Sequence, residues 1–140
     1  MPRIRSELSK KNEYWISKHA FYTAYHYALQ YNDWKNEYEA VTGGLRAVNY
    51  DGMPHSSSVS NPTETAGMRG AELHSKMRVI EALAEQAEPT LSQYILKAVT
   101  NEDITYEYLR MKLHIPCGHN EYYKARRRFY YLLSKHLEEG

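Results

Sequence analysis

The chain has 140 residues, of which 42% are apolar and 25% are charged, and its formal net charge is +1. These values are typical of one compact soluble domain, or of one domain with an appended arm. No apolar run approaches the roughly 20 residues that a membrane span needs, and the segment MPRIRSELSKKNEY has no apolar core of a signal peptide. The single cysteine, Cys117, excludes an internal disulfide. We therefore expect a cytoplasmic protein with no membrane partner.

The small net charge conceals an uneven distribution of charged side chains. Residues 1–32 carry five basic and two acidic side chains, and residues 104–137 carry seven and two. The intervening residues 33–103 carry six basic and eleven acidic side chains. Two basic ends around an acidic middle favour a polyanionic partner for the ends.

The first half of the chain predicts two helices followed by a loop. Apolar residues recur on one helical face from about Asn12 to Tyr31. A short helix then follows, capped by Asn32 or Asp33 and ended by Gly43-Gly44. Turn-forming residues dominate the next segment, which predicts a loop over residues 45–61.

The second half predicts a long central helix, two short helices and a final helix. Asn61-Pro62 is a strong helix start, and the apolar stripe continues to about Glu88. A short helix begins at Pro89, and another is capped by Asp103 or Thr105. The last helix runs from about Asn120 to Leu137. No segment alternates with period two, so the predicted fold is all-α: an N-terminal helical hairpin, a long central helix and a C-terminal helix-turn-helix. The predicted organisation is an N-terminal helical region over 1–44, a linker over 45–61, and a third region over 62–140 that holds the central helix and the C-terminal helix-turn-helix.

The last helix has one apolar face and one cationic face. At about 100° per residue, the predicted buried stripe contains Tyr122, Ala125, Phe129, Leu132, Leu133 and His136. The C-terminal unit, from about residue 90 to 137, is expected to fold around Phe129 and Leu133 of this stripe together with Leu91, Ile95, Leu109 and Leu113. The opposite face carries Lys124, Arg127, Arg128 and Lys135, with Tyr123 and Tyr131 among them and Arg126 at its border. Lysine and arginine reach phosphates, and arginine also binds guanine edges.

The last helix, with the short helix and turn before it, has the size of a helix-turn-helix, in which the second helix enters the major groove. The predicted base-reading residues are Asn120, Glu121, Tyr123, Lys124, Arg127 and Arg128. Arg127 is the preferred base contact, because it is expected to point most directly away from Phe129. Tyr131 and Lys135 lie farther along and are expected to reach only the DNA backbone. The alternative interpretation is a solvated amphipathic helix whose polar face is basic.

Other kinds of site find little support in the sequence. His114, Cys117 and His119 cluster in the turn, but structural zinc requires four ligands and no partner pair lies elsewhere. No glycine-rich phosphate loop and no Gly-x-Ser-x-Gly elbow is present. We therefore expect no catalytic residue, no metal and no cofactor, and hence a protein that is not an enzyme.

Four segments together resemble the ArpU-like and RinA-like transcriptional regulators of phages and prophages in Gram-positive bacteria. They are YDGMP at 50–54, SNPTE at 60–64, KMRVIE at 76–81 and YYKARRRF at 122–129. The resemblance covers about residues 34–137 and rests on their order and spacing. It implies an activator of late phage genes in the bacterial host cell, with a C-terminal domain like the promoter-reading region of sigma factors and with host RNA polymerase as a partner.

Two other functions fit a small helical protein with a basic C-terminus. One is the small DNA-recognition subunit of a phage terminase, which assembles into rings. The other is an adaptor that binds an acidic protein partner. For the regulator, we expect double-stranded DNA as the partner and a homodimer that matches two half-sites.

Overall fold

The computed structural model describes residues 12–51 and 62–139, and the side chains of residues 44–51 and 62–64 lie outside that description. The described residues contain helices and no strand, which confirms the all-α prediction. A 3-10 turn, Pro89–Leu91, links the third and fourth helices. The α-helices are α1 (Lys18–Leu29), α2 (Tyr31–Asp51), α3 (Pro62–Ala87), α4 (Ser92–Val99), α5 (Tyr106–Lys112) and α6 (His119–Glu139).

The helices belong to two compact units. The terminal unit contains the described residues up to Gln30 and those from Ile80 onward, and therefore holds α1, the end of α3, and α4 to α6. The middle unit, Tyr31–Val79, holds α2 and the larger part of α3. Residues 45–51, the first part of the linker predicted at 45–61, belong to α2, so that part of the prediction is wrong. The linker remains a prediction for residues 52–61, which lie outside the described part of the chain.

α1 begins later than its apolar pattern indicates. Its N-cap is Ser17, whose hydroxyl accepts a 3.2 Å hydrogen bond from the amide of Ala20. The preceding residues form a turn, in which the Tyr14 amide donates to the side chain of Asn12 at 2.8 Å. The predicted start near Asn12 is wrong, because a capped turn comes before the helix.

α2 continues through Gly43-Gly44 to Asp51, so the predicted helix end at these glycines is wrong. A glycine inside a helix costs only about 1 kcal/mol relative to alanine, and tertiary contacts offset such a cost. The side chains of Val41 and Thr42, just before the glycines, pack near Gly70 of α3. They lie 3.8–4.0 Å from the position that a Cβ would occupy if Gly70 had one. Packing against α3 therefore supports the helix where the local sequence favours its end.

The core of the terminal unit contains the predicted face of α6 and a second face that was not predicted. Phe129 and Leu133 are fully buried, as expected. Tyr130 and Ser134 are also buried, because α1 packs along α6 and the ring of Phe21 lies 5.1 Å from that of Tyr130. Leu132 is half-buried and His136 is exposed, so the predicted stripe is displaced toward α1.

Leu113 is exposed, so its predicted place in the core is wrong. α5 ends at Lys112, and the chain changes direction directly after Leu113. Ile115 is buried instead, and its amide donates to the carbonyl of Leu109 at 3.1 Å. The other predicted residues of this core, Leu91, Ile95 and Leu109, are buried.

Candidate nucleic-acid interface

α5 and the turn that follows it are held together by hydrogen bonds near the start of α6. Thr105 caps α5, because its hydroxyl accepts a 3.1 Å hydrogen bond from the amide of Tyr108. The hydroxyl of Tyr106 donates to the backbone carbonyl of Cys117 at 2.8 Å. The ring of Tyr106 also lies 5.7 Å from that of Tyr122. The first residue of α5 therefore braces both the turn and α6.

The turn between α5 and α6 contains a left-handed residue. His114 has φ 56°, the only positive φ of a non-glycine residue in the described ranges. A residue in this conformation commonly ends a helix and redirects the chain. The first turn of α6 is then closed by the amide of Tyr122, which donates to the carbonyl of Gly118 at 3.1 Å.

The exposed face of α6 is cationic. Lys124, Arg128 and Lys135 are exposed, and they lie within about 40° of one another around the helix axis. Asn120 and Glu121 are exposed at the start of the helix. Along the axis, Lys124 and Lys135 are separated by about 16 Å, at 1.5 Å per residue. We call Lys124, Arg128 and Lys135 the cationic face.

Three predicted contact residues, Tyr123, Arg127 and Tyr131, are half-buried. Tyr123 packs its ring 4.5 Å from His119, and Tyr131 packs 5.7 Å from Tyr14. The Nε of Arg127 is buried and has no hydrogen-bond partner among the described residues. Arg127 lies about 160° from Phe129 around the helix axis, but it is half-buried, whereas Arg128 is exposed.

Arg126 is part of an aromatic cluster that the sequence did not reveal. Its guanidinium lies 4.7 Å from the ring centroid of Tyr123 and 5.7 Å from that of Tyr122. Burial raises the pKa of Tyr122, and the nearby Arg126 opposes that rise. Arg126 therefore lies among aromatic rings, apart from the cationic face.

A cleft of about 300 Å³ borders the cationic face. Lys124 and Arg128 line one side, and Tyr14, Glu88 and Glu121 contribute to the remainder. Cys117 also lines it, and burial together with the carboxylates Glu121 and Glu88 raises the pKa of its thiol. The thiol is therefore protonated near neutral pH, and the cleft combines cations with carboxylates.

The described residues contain no group of three or more His, Cys, Asp or Glu side chains placed to hold a metal ion. Within residues 12–51 and 62–139, no helix has the length and apolar character that crossing a membrane requires.

Comparisons of the chain with protein-family models, with curated proteins and with solved structures gave no match. The resemblance to the ArpU-like and RinA-like regulators therefore remains a hypothesis drawn from the sequence.

Proposed function

We propose that the chain is a sequence-specific DNA-binding transcriptional regulator, in which α5, the turn and α6 act as a helix-turn-helix. The observation that carries the proposal is the division of α6 into two sides. Phe129 and Leu133 are fully buried, whereas the cationic face is exposed along the length of the helix. Such a helix presents fixed positive charges to a duplex from a rigid support.

The roles of the cations follow from their positions along α6. Lys124 and Arg128 lie in the N-terminal half, which enters the major groove in a helix-turn-helix, and they are the proposed base contacts, with Asn120 beside them. Lys135 lies farther along and is the proposed backbone contact. The rings of Tyr123 and Tyr131 pack against His119 and Tyr14, respectively. We therefore assign these two tyrosines a smaller part in DNA binding than the cationic face.

Bracing of the turn supports the same proposal. Tyr106 ties α5 to the turn through its 2.8 Å hydrogen bond, and its ring packs against Tyr122 of α6. A recognition helix must be held in a fixed orientation for its side chains to meet base edges, and these contacts restrict its movement.

The finer assignment rests on the sequence resemblance, which implies an activator of phage or prophage late genes that acts with host RNA polymerase in the bacterial host cell. The homodimer is proposed because helix-turn-helix proteins commonly dimerise to match two half-sites. No catalytic role is proposed. Oligomeric state separates this proposal from a terminase subunit, because a regulator is expected to be a dimer and a packaging subunit a large ring. Native mass measurement of the full chain distinguishes the two.

DNA binding is tested by selecting duplexes from a random-sequence pool and then measuring their affinity by fluorescence anisotropy. The double variant Lys124→Ala/Arg128→Ala removes two charges from the cationic face. Lys35→Ala/Lys97→Ala is the matched control, since both lysines are exposed but lie on α2 and α4. We expect the first variant to lose its preference for the selected duplex, because it removes the two proposed base contacts, and the control to keep that preference. Failure to enrich any sequence, or equal behaviour of the two variants, would refute the proposal.

A further inference from the structure

The cleft of about 300 Å³ beside α6 is lined by charged side chains of both signs. Glu121 and Lys124 lie three residues apart on α6, and Glu88 directly follows α3. Among the described residues, no ion pair involves Glu121, Lys124 or Arg128. Opposite charges that share a cleft without pairing to each other are available to a ligand.

The two kinds of charge lie at different ends of the cleft. Burial and the carboxylates Glu121 and Glu88 raise the pKa of the Cys117 thiol, so both carboxylates lie near that residue. From Glu121, α6 advances by about 4.5 Å to Lys124 and by about 10.5 Å to Arg128. The cleft therefore has a negative end at Cys117 and a positive end at Arg128.

Apolar side chains also line the cleft. Ala87, Leu91 and Ala125 are buried, and Ala125 lies between Glu121 and Arg128 along α6. The volume is at the lower limit for ligand pockets, about 300–1,000 Å³, in which an apolar lining is combined with a few polar anchors. The cleft therefore fits a small molecule with a short apolar part and two charged ends.

We propose that the cleft binds an ω-amino acid, a molecule whose ammonium group and carboxylate are joined by a chain of methylene groups. The ammonium group binds Glu88 and Glu121, and the carboxylate binds Lys124 and Arg128. The methylene chain lies on the apolar lining. An α-amino acid carries its two charges too close together to reach both ends.

Occupation of the cleft has a consequence for DNA binding, which rests on the proposed function of α6. Lys124 and Arg128 are the proposed base contacts, and a bound carboxylate neutralises the same two side chains. A bound ω-amino acid therefore competes with the duplex.

Ligand binding is measured by NMR titration of the full chain with 6-aminohexanoate at constant ionic strength. Hexanoate and hexylamine each lack one of the two charges, and norleucine is an isomer with adjacent charges. We expect each of these three compounds to bind roughly fivefold more weakly than 6-aminohexanoate, because each loses the contacts at one end of the cleft. An affinity for 6-aminohexanoate no higher than that for norleucine, or for both singly charged compounds, would overturn the inference.

The negative end is tested by the double variant Glu88→Gln/Glu121→Gln. Glutamine keeps a side-chain oxygen that can accept the 3.4 Å hydrogen bond from the amide of Thr90. Glu39→Gln/Glu102→Gln is the matched control, since both carboxylates are exposed and neither lines the cleft. We expect the first variant to bind 6-aminohexanoate roughly fivefold more weakly while binding hexanoate no more weakly than wild type does. Equal losses in the two variants would contradict the assignment of this end.

The location of the ligand is tested through Cys117, which lines the cleft and is the single cysteine of the chain. N-ethylmaleimide attached to this thiol fills part of the cleft, so we expect the modified chain to lose 6-aminohexanoate binding. Cys117→Ser treated with the same reagent should keep it, and thermal melts check that both proteins are folded. A modified, folded chain that binds as wild type does would show that the ligand lies elsewhere.

Competition is measured on a selected duplex by fluorescence anisotropy at constant ionic strength. We expect saturating 6-aminohexanoate to weaken DNA binding by the wild-type chain, and the same concentration to have less effect on Glu88→Gln/Glu121→Gln. Binding of 6-aminohexanoate without any effect on DNA affinity would refute the competition. A chain that binds a selected duplex but not 6-aminohexanoate refutes the ligand site alone, whereas a chain that binds 6-aminohexanoate but no duplex refutes the proposed function and the competition.

Discussion

The hydroxyl of Tyr106 donates a 2.8 Å hydrogen bond to the backbone carbonyl of Cys117, eleven residues farther along the chain. This bond joins the first residue of α5 to the turn before α6. Replacement by phenylalanine keeps the buried ring and removes only the donor, so we expect Tyr106→Phe to lower the free energy of unfolding by about 0.5–1.5 kcal/mol. Urea denaturation of both proteins measures the difference. An unchanged midpoint would show that the bond does not stabilise the turn.

Phe129 supports α6 from the centre of the terminal unit, where its side chain is fully buried. Truncation of a buried phenylalanine leaves a cavity, so we expect Phe129→Ala to lower the free energy of unfolding by about 3–5 kcal/mol. His136→Ala is the control on the same helix, because His136 is exposed and its loss should change stability by less than about 0.5 kcal/mol. If the two variants melt at the same temperature, the assignment of the faces of α6 is wrong.

His114 adopts φ 56°, a conformation that costs an L-residue roughly 1–2 kcal/mol. Glycine removes this cost. It also gives the unfolded chain more conformational freedom, which lowers the free energy of unfolding by about 0.4–1 kcal/mol. We therefore expect His114→Gly to raise the free energy of unfolding by about 0.5–1 kcal/mol. His114→Val should lower it, because a β-branched residue is poorly tolerated at positive φ. A valine variant as stable as the glycine variant would contradict the left-handed turn.

Burial raises the pKa values of Tyr25 and Tyr130, whose hydroxyls have no hydrogen-bond partner among the described residues. In the unfolded chain both titrate near pH 10. Because the folded-state pKa values are higher, stability is fully present below about pH 10 and falls as the pH rises above it. We expect Tyr130→Phe to reduce that alkaline loss while leaving stability near neutral pH unchanged or slightly higher.

Denaturant unfolding across alkaline pH, with tyrosinate absorbance recorded in parallel, measures the effect of Tyr130→Phe. If wild type and variant lost the same amount of stability at alkaline pH, Tyr130 would not be a group that ionises on unfolding.

Helix positions in this chain were predictable where caps and apolar stripes agree. Thr105 caps α5 as one of its two predicted capping residues, and α3 begins at Pro62 as expected. The helix end predicted at Gly43-Gly44 was wrong, because glycine is only a local signal for a helix end. Val41 and Thr42 pack on Gly70, which belongs to a distant segment of the sequence. Local sequence therefore indicated the helices better than it indicated their ends.

The candidate site shows the same limit. The helical spacing of apolar residues correctly predicted that Phe129 is buried and that Lys124 is exposed. This spacing defines a single apolar face on a helix and does not reveal a second buried face. The packing of α1 on Tyr130 makes the buried surface of α6 wider than a single stripe. For that reason Arg128 is exposed, whereas Arg127 is half-buried.

Base reading by α6 is tested most directly by comparing Arg128→Ala with Lys135→Ala on a selected duplex and on a random duplex at two salt concentrations. Both residues are exposed on the cationic face, but they lie seven residues apart along the helix. We expect Arg128→Ala to lose about 1–3 kcal/mol of binding free energy on the selected duplex and less on the random one. We expect Lys135→Ala to weaken binding to both duplexes alike and to lower the salt slope by about 0.9. Identical behaviour of the two variants on both duplexes would contradict sequence reading by this helix.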